Sequence, residues 1–241
     1  MSMHLMHLPE WPDSPGSIFS IDGEEAHHAL RVRRLCVGDV VRACDGNGHL
    51  MIGEIAATRR GRGGSWELDL RVLETRVIPR PNPAVHIVSA APKGDRLGEM
   101  IEGLSQVGAA SWRPLFSERT VVEPSDTKLE RLQRIALESM KQCGRTHRLD
   151  ILPPVGLTEA LMLPGAIIAD ASGETWGRLP AQDNGQTLTI LVGPEGGWTD
   201  AELAEALSAS VPAACFGIHT MRIETAAVVA AGIVMHLSAR S

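Results

Sequence analysis

The sequence predicts an α/β protein: a small β-rich unit followed by a mostly parallel sheet flanked by helices. Three observations carry that expectation. Short runs of period-two alternation crowd the first third of the chain, and Pro79, Pro81 and Pro83 then interrupt the pattern. Beyond the prolines, apolar runs of strand length alternate with segments of helical spacing, the order expected of a parallel sheet with crossover helices.

Val37-Gly38-Asp39-Val40-Val41-Arg42-Ala43 alternates as a strand, Asp45-Gly46-Asn47-Gly48 marks a tight hairpin, and Leu50–Ile55 is the return strand. Arg59–Ser65 reads as a basic, glycine-rich turn before an alternating Trp66–Val72. Short strands at such close spacing suggest a small barrel. The prolines place the boundary between residues 1–78 and 79–241. Ala84–Val88 is then a buried strand. Leu97, Met100, Ile101, Leu104 and Val107 keep helical spacing, with Asp95 a candidate cap and Gly108 the stop. After a strand at Trp112–Phe116, Leu129, Leu132, Ile135, Ala136 and Met140 trace a helix ended by Gly144. Strands follow at Ala166–Ala169 and Leu188–Val192. Thr199-Asp200-Ala201-Glu202 is a capping box, Ala213–Gly217 the last strand and Glu224–Leu237 the last helix.

Bulk composition narrows the function classes. In 241 residues, 44% are hydrophobic and 22% charged, an ordinary globular balance. Cys36, Cys44, Cys143 and Cys215 are scattered and form no Cys-x-x-Cys pair, which suits reduced thiols in a cytoplasm and argues against a zinc site. Met1–Asp13 carries no Lys or Arg and does not read as a signal peptide. The longest apolar run, Ala226–Leu237, falls short of the ~20 residues that span a bilayer. A net charge of −6 argues against broad nucleic-acid binding, and 3% aromatics without tyrosine argue against a stacking platform for single strands. RNA contacts would fall to local clusters: Arg31, Arg33 and Arg34, then Arg59, Arg60 and Arg62.

Two loops lie where strands of the predicted sheet end, the edge at which open parallel sheets bind ligands. Gly193-Pro194-Glu195-Gly196-Gly197 joins a strand to a capped helix; its glycines let backbone approach a ligand, yet it lacks the endings of a phosphate loop. Taken alone it is equally an ordinary tight turn. In Phe216-Gly217-Ile218-His219-Thr220-Met221-Arg222-Ile223-Glu224-Thr225-Ala226, an Arg and a Glu flank the start of an apolar helix, where Glu224 also suits the helix dipole.

Together, Gly-Pro-Glu-Gly-Gly after one strand and Gly-x-x-x-Met-Arg-x-Glu-Thr-Ala after the next resemble the SPOUT superfamily, and within it the RsmE family, which methylates N3 of a uridine in small-subunit 16S ribosomal RNA. His27-His28-Ala29-Leu30-Arg31-Val32-Arg33-Arg34-Leu35, Lys93-Gly94-Asp95-Arg96, Pro114–Arg119 and Gln142-Cys143-Gly144-Arg145 are similar to that family's remaining motifs, so the likeness covers nearly the whole chain. The resemblance implies a PUA-like β-barrel ahead of a trefoil-knotted α/β domain, S-adenosylmethionine as cofactor, no metal, and a homodimer acting on ribosomal RNA of the small subunit. It places Ala169, Asp170, Leu191, Gly193, Pro194, Glu195, Gly196, Gly197, Phe216, Gly217, Ile218, Met221, Arg222 and Thr225 around the cofactor. Arg222 then stabilises the uridine anion, Glu224 acts as base or orients Arg222, and His28, Arg31, Arg33, Arg34, Lys93, Arg119 and Arg145 hold RNA.

The chain departs from the family at Glu102-Gly103, Gln106 and His219, where relatives usually carry Gln-Lys, Glu and a basic residue. The final helix presents Val228, Val229, Ile233 and Val234, which suit either a dimer interface or the chain's own core. Two rival readings share these motifs. One is an inactive ribosome-assembly factor with the same fold; the other is an α/β enzyme that uses the glycine loop for a nucleotide phosphate.

Overall fold

The computed structural model describes residues 4–11, 15–61, 64–177 and 187–238, and the chain divides into two units. One comprises Met1–Arg80 with Met140–His147, the other Pro81–Ser139 with Arg148–Ser241.

In the first unit five strands, β1 (Leu5–His7), β2 (Ile18–Ile21), β3 (Val40–Cys44), β4 (His49–Arg60) and β5 (Trp66–Val77), lie in the order β1-β3-β4-β5-β2. β1 runs parallel to β3 and the other pairings are antiparallel. The β3–β4 hairpin closes where expected, because the Asp45 carboxylate accepts from the backbone N–H groups of Asn47 (2.7 Å) and His49 (3.1 Å). Gly46 and Gly48 supply the positive φ of 78° and 103° that the turn needs. Register shifts after Ile52 and Ile55 mark bulges, which bend a strand and let a short sheet curve round its core. All five strands feed one cluster, in which Met6, Ile21, Val41, Met51, Ile55 and Leu70 are buried.

Two local features differ from the sequence expectation. Arg59 and Arg60 belong to β4 and pair with Glu67 and Trp66 of β5; they do not form a turn. The ladder persists there because Glu67 and Asp69 neutralise Arg59 across the strands. The His27–Leu35 motif is helical: α1 (Gly23–His27) continues into a π-helical turn, His28–Val32.

The second unit holds β6 (Ala84–Ser89), β7 (Ser111–Phe116), β8 (Asp150–Ile151), β9 (Val155–Gly156), β10 (Ala166–Thr175), β11 (Thr187–Val192) and β12 (Ala213–Cys215). Their order is β12-β10-β11-β6-β7-β8, with β9 beside β7, and every pairing among the described residues is parallel. Helices α2 (Arg96–Val107), α3 (Asp126–Cys143, of which Met140–Cys143 belongs to the first unit), α4 (Leu157–Leu161), α5 (Asp200–Ser208) and α6 (Ile223–Ser238) complete the α/β fold. Gly108 ends α2 in the left-handed conformation, φ 96°. Asp95 sits at the α2 cap position without a side-chain cap bond, because its own backbone is already helical (φ −76°, ψ −18°). The α5 capping box is complete: Glu202 N–H donates to Thr199 Oγ1 (3.2 Å) and Thr199 N–H to Glu202 Oε2 (2.8 Å).

The chain's own core takes much of the apolar final helix. Ala227, Ala230, Ala231 and Val234 are fully buried, and Val228 and Ile233 pack against them. Gly103 is part of that fit, since a Cβ there would stand 2.9 Å from Val228 Cγ2. The departure at this position thus serves helix packing. No helix of the described residues is long and apolar enough to cross a membrane.

Candidate functional site

Adjacent parallel strands bring their carboxyl-side segments to one edge, so the loops after β11 and β12 meet beside the Ala169–Ala171 stretch of β10. There the described residues line a cavity of about 780 Å³. Its wall brings together Ala169, Asp170, Gly193, Pro194, Glu195, Gly197, Phe216, Gly217, Met221 and Arg222 from the residues the sequence singled out. Four others lie off the wall. Leu191 is wholly buried beneath the loop, Ile218 and Thr225 face solvent, and Gly196 turns its carbonyl to the Arg119 guanidinium (2.6 Å).

Close packing shapes the glycine loop. A Cβ on Gly193 would meet Trp198 Cε2 at 2.9 Å, and Gly197 has φ 69°, where an L side chain is strained. Trp198 is nearly buried and its indole N–H donates to the Ala169 carbonyl at 3.1 Å, which ties the middle of β10 to the loop after β11. On the other side, Gly217 lets Met221 fold over the chain, its Cε 3.1 Å from where a Cβ would stand. Trp176 stacks on Phe216, ring centroids 5.4 Å apart. Cys215 also lines the cavity and donates its thiol hydrogen to the Gly217 carbonyl (3.0 Å).

The charged groups separate into two sets. Arg96, at the start of α2, lines the cavity and holds two carboxylates: Glu195 Oε1 at 3.2 Å and Glu224 Oε1 at 3.5 Å. Glu224 therefore pairs with Arg96 and does not orient Arg222; its other oxygen is buried without a hydrogen-bond partner. The Arg222 side chain is exposed on the cavity wall, while its carbonyl accepts from Ala226 N–H (2.8 Å) and opens α6. His219 is also on the wall. Sequence reasoning missed Arg96 and Trp198. The Lys93–Arg96 motif contained a signal for the first, but nothing local says that Trp198 reaches back to β10.

Of the expected RNA-holding residues, Lys93 and Arg119 are in this unit, the former exposed and the latter bonded to the carbonyls of Gly196 and Trp198. Arg119 thus supports the glycine loop directly. His28, Arg31, Arg33, Arg34 and Arg145 belong to the first unit. His28 is half-buried beside His4, ring centroids 5.1 Å apart, while Arg31, Arg33 and Arg34 are exposed. Arg62 lies outside the described residues. Among the described residues no cluster of three or more His, Cys, Asp or Glu side chains is placed to hold a metal ion.

Two protein families match the chain. The family described as RNA methyltransferase domain matches residues 79–235, and that described as RNA methyltransferase PUA domain matches residues 21–62. Fold and cavity define an RNA-methyltransferase-type α/β protein that carries a PUA domain. The ribosomal RNA small subunit methyltransferase E of Mycobacterium bovis is 31% identical over 98% of this chain and 92% of its own length. The Bacillus subtilis protein of the same name is 28% identical over 94% and 93%. The chain belongs to the ribosomal RNA small subunit methyltransferase E family. The crystal structure of a Neisseria gonorrhoeae protein of that name, bound to S-adenosyl methionine, has the same fold: TM-score 0.83, 24% identity, 98% of both chains covered.

Proposed function

We propose that this chain methylates N3 of a uridine in 16S ribosomal RNA with S-adenosylmethionine as donor, acting in the cytoplasm on the small ribosomal subunit or its RNA. One observation carries the reading: the loops after β11 and β12 and the Ala169–Ala171 stretch of β10 enclose one cavity, and Arg222 stands on its wall without an acidic partner among the described residues. The wall suits the cofactor. Val192, Phe216, Met221 and Ala226 offer apolar surface for a purine, and Asp170 offers a carboxylate for a cationic ligand. Residues 1–78 would form the PUA-like RNA-binding domain and 79–241 the methyltransferase domain, knotted and paired as a homodimer as in the family it resembles.

When bound, S-adenosylmethionine supplies an electrophilic methyl group on a sulfonium. The protein has two tasks: to hold the uridine in line for attack and to manage the proton that N3 loses. Arg222 stabilises the negative charge that develops as that proton leaves. Glu224 acts through Arg96, keeping the α2 start, the glycine loop and the α6 start in one arrangement. This is a positioning role in place of that of base.

The test is mass spectrometry of 16S ribosomal RNA nucleosides from cells with and without this gene, followed by methylation of the unmodified RNA with purified protein. Loss of one N3-methyluridine in the deletion and its restoration in vitro are expected. A nucleoside profile unchanged by the deletion would overturn the reading. Cofactor binding without transfer to RNA would favour an assembly factor.

A further inference from the structure

The first unit carries a cationic patch whose construction is unlike a solvated run of charges. Arg59 is occupied, since Glu67 and Asp69 neutralise it. Arg60, its neighbour in β4, lies over the Trp66 ring with the guanidinium carbon 3.9 Å from the centroid, and Arg31 reaches the same ring at 5.7 Å. Trp66 is half-buried and packs against the unit's core, so its position is fixed from below. Arg60 is held further by a bond from Nη1 to the Gly64 carbonyl (3.0 Å).

Two carboxylates of the same unit are engaged elsewhere. Glu25 holds Lys141 at 2.8 Å, and Asp39 accepts from Cys36 N–H at 2.7 Å. Arg31, Arg33 and Arg34 are exposed, with no ion pair among the described residues. A chain of net charge −6 thus keeps two arginines, Arg31 and Arg60, on one indole without an ion pair among the described residues.

A guanidinium laid on an aromatic ring uses its face for that contact and keeps its N–H edge for a planar oxyanion. Its orientation is set before the ligand arrives, so less side-chain entropy is lost on binding. Two such groups on one ring match successive phosphates of a polynucleotide. We infer that Trp66, with Arg31 and Arg60 arranged on its ring, is an RNA-backbone clamp that recruits the substrate to the first unit. Trp66 and Arg60 act here as specific binding residues, and the inference rests on the reading of this chain as an RNA methyltransferase.

The test uses full-length protein and 16S ribosomal RNA, with methyl transfer and RNA affinity measured across a salt series. Arg31→Ala/Arg60→Ala should raise KM for RNA roughly tenfold and reduce the salt slope by about 1.4, the loss of two phosphate contacts at ~0.7 each on single strands. Cofactor affinity measured without RNA should stay at the wild-type value. Arg31→Lys/Arg60→Lys keeps the charge but loses the planar stack, so it should retain the slope while KM still rises. Trp66→Leu should resemble the Lys pair; the two double variants leave the core untouched and cover the case in which this one fails to fold. Wild-type KM and slope in the double alanine variant, with methylation intact, overturn the clamp and leave the methyltransferase reading standing. A patch that binds an acidic polypeptide, with RNA affinity unaffected by both double variants, also overturns it. Wild-type protein that neither binds nor methylates the RNA overturns both readings.

Discussion

Adding one methyl group at Gly193 tests the architecture of the cavity directly. In Gly193→Ala the new Cβ would stand 2.9 Å from Trp198 Cε2, 3.1 Å from Cδ2 and 3.3 Å from Cζ2. Real Cβ contacts require more, so the indole or the loop must shift by several tenths of an ångström. Trp198 has little room, being 8% exposed and anchored by its N–H to the Ala169 carbonyl at 3.1 Å. Overpacking of this kind costs about 1–3 kcal/mol. Stretching the indole–carbonyl bond adds about 1 kcal/mol. Ala169, Gly193 and Trp198 all line the cavity, so whichever element yields, the cofactor site changes shape. If half of that cost falls on binding, affinity for S-adenosylmethionine drops roughly 5- to 30-fold, at ~1.4 kcal/mol per decade. Titration calorimetry reads this. Gly196→Ala is the control, since its Cβ would meet only the flexible Arg119 side chain, at 3.2 Å from Cδ. Unchanged affinity in Gly193→Ala, or an equal loss in Gly196→Ala, would refute the reasoning.

Three further outcomes follow from other parts of the molecule. Arg222→Ala should lower kcat for RNA methylation at least ~100-fold with cofactor affinity retained; an equal fall in affinity would make Arg222 a binding residue. In a Cys36→Ser/Cys143→Ser background, S-adenosylmethionine should slow alkylation of Cys215, the thiol on the cavity wall, while Cys44 stays unreactive because burial raises its pKa to about 11. Equal Cys215 alkylation with and without cofactor would place the ligand elsewhere. Burial, then the positive charges of His28, Arg33 and Lys141, lowers His4 from 6.5 to about 4. Between those values the unfolded chain binds a proton that the folded one refuses, so stability should fall as pH drops through that window and level off below it. Urea midpoints across the window should show this decline in wild type and a flatter profile in His4→Phe; parallel profiles would remove His4 as the cause.

Whatever depended on local chemistry was legible in the residues. The Asp45–Gly48 turn, the Thr199–Glu202 capping box and the Gly108 stop each work through atoms a few positions apart. The alternation after Pro83 was sufficient to predict a parallel sheet, because a parallel sheet needs crossovers and buries both faces. The motif order was enough to point to the glycine loop, Met221 and Arg222. Other residues of the first unit were read in the wrong element. The basic Arg59–Arg60 pair looked like a turn because its neutralising carboxylates, Glu67 and Asp69, come from the facing strand.

Tertiary structure alone decided which charges meet. Nothing within a few residues of Arg96 shows that it holds both Glu195 and Glu224, each far along the chain, or that Glu224 is thereby taken from Arg222. Gly103 looked like a lost basic contact until Val228 of the last helix was found against it. Trp66 read only as the first residue of a strand until Arg31 and Arg60 stood on its ring. The physical reason is common to all of these. A turn, a cap or a period is set by bonding between near neighbours in the chain, so sequence determines it. Ion pairs, close helix contacts and cation–π pairs depend on distances of a few ångströms between segments that only the folded backbone brings together.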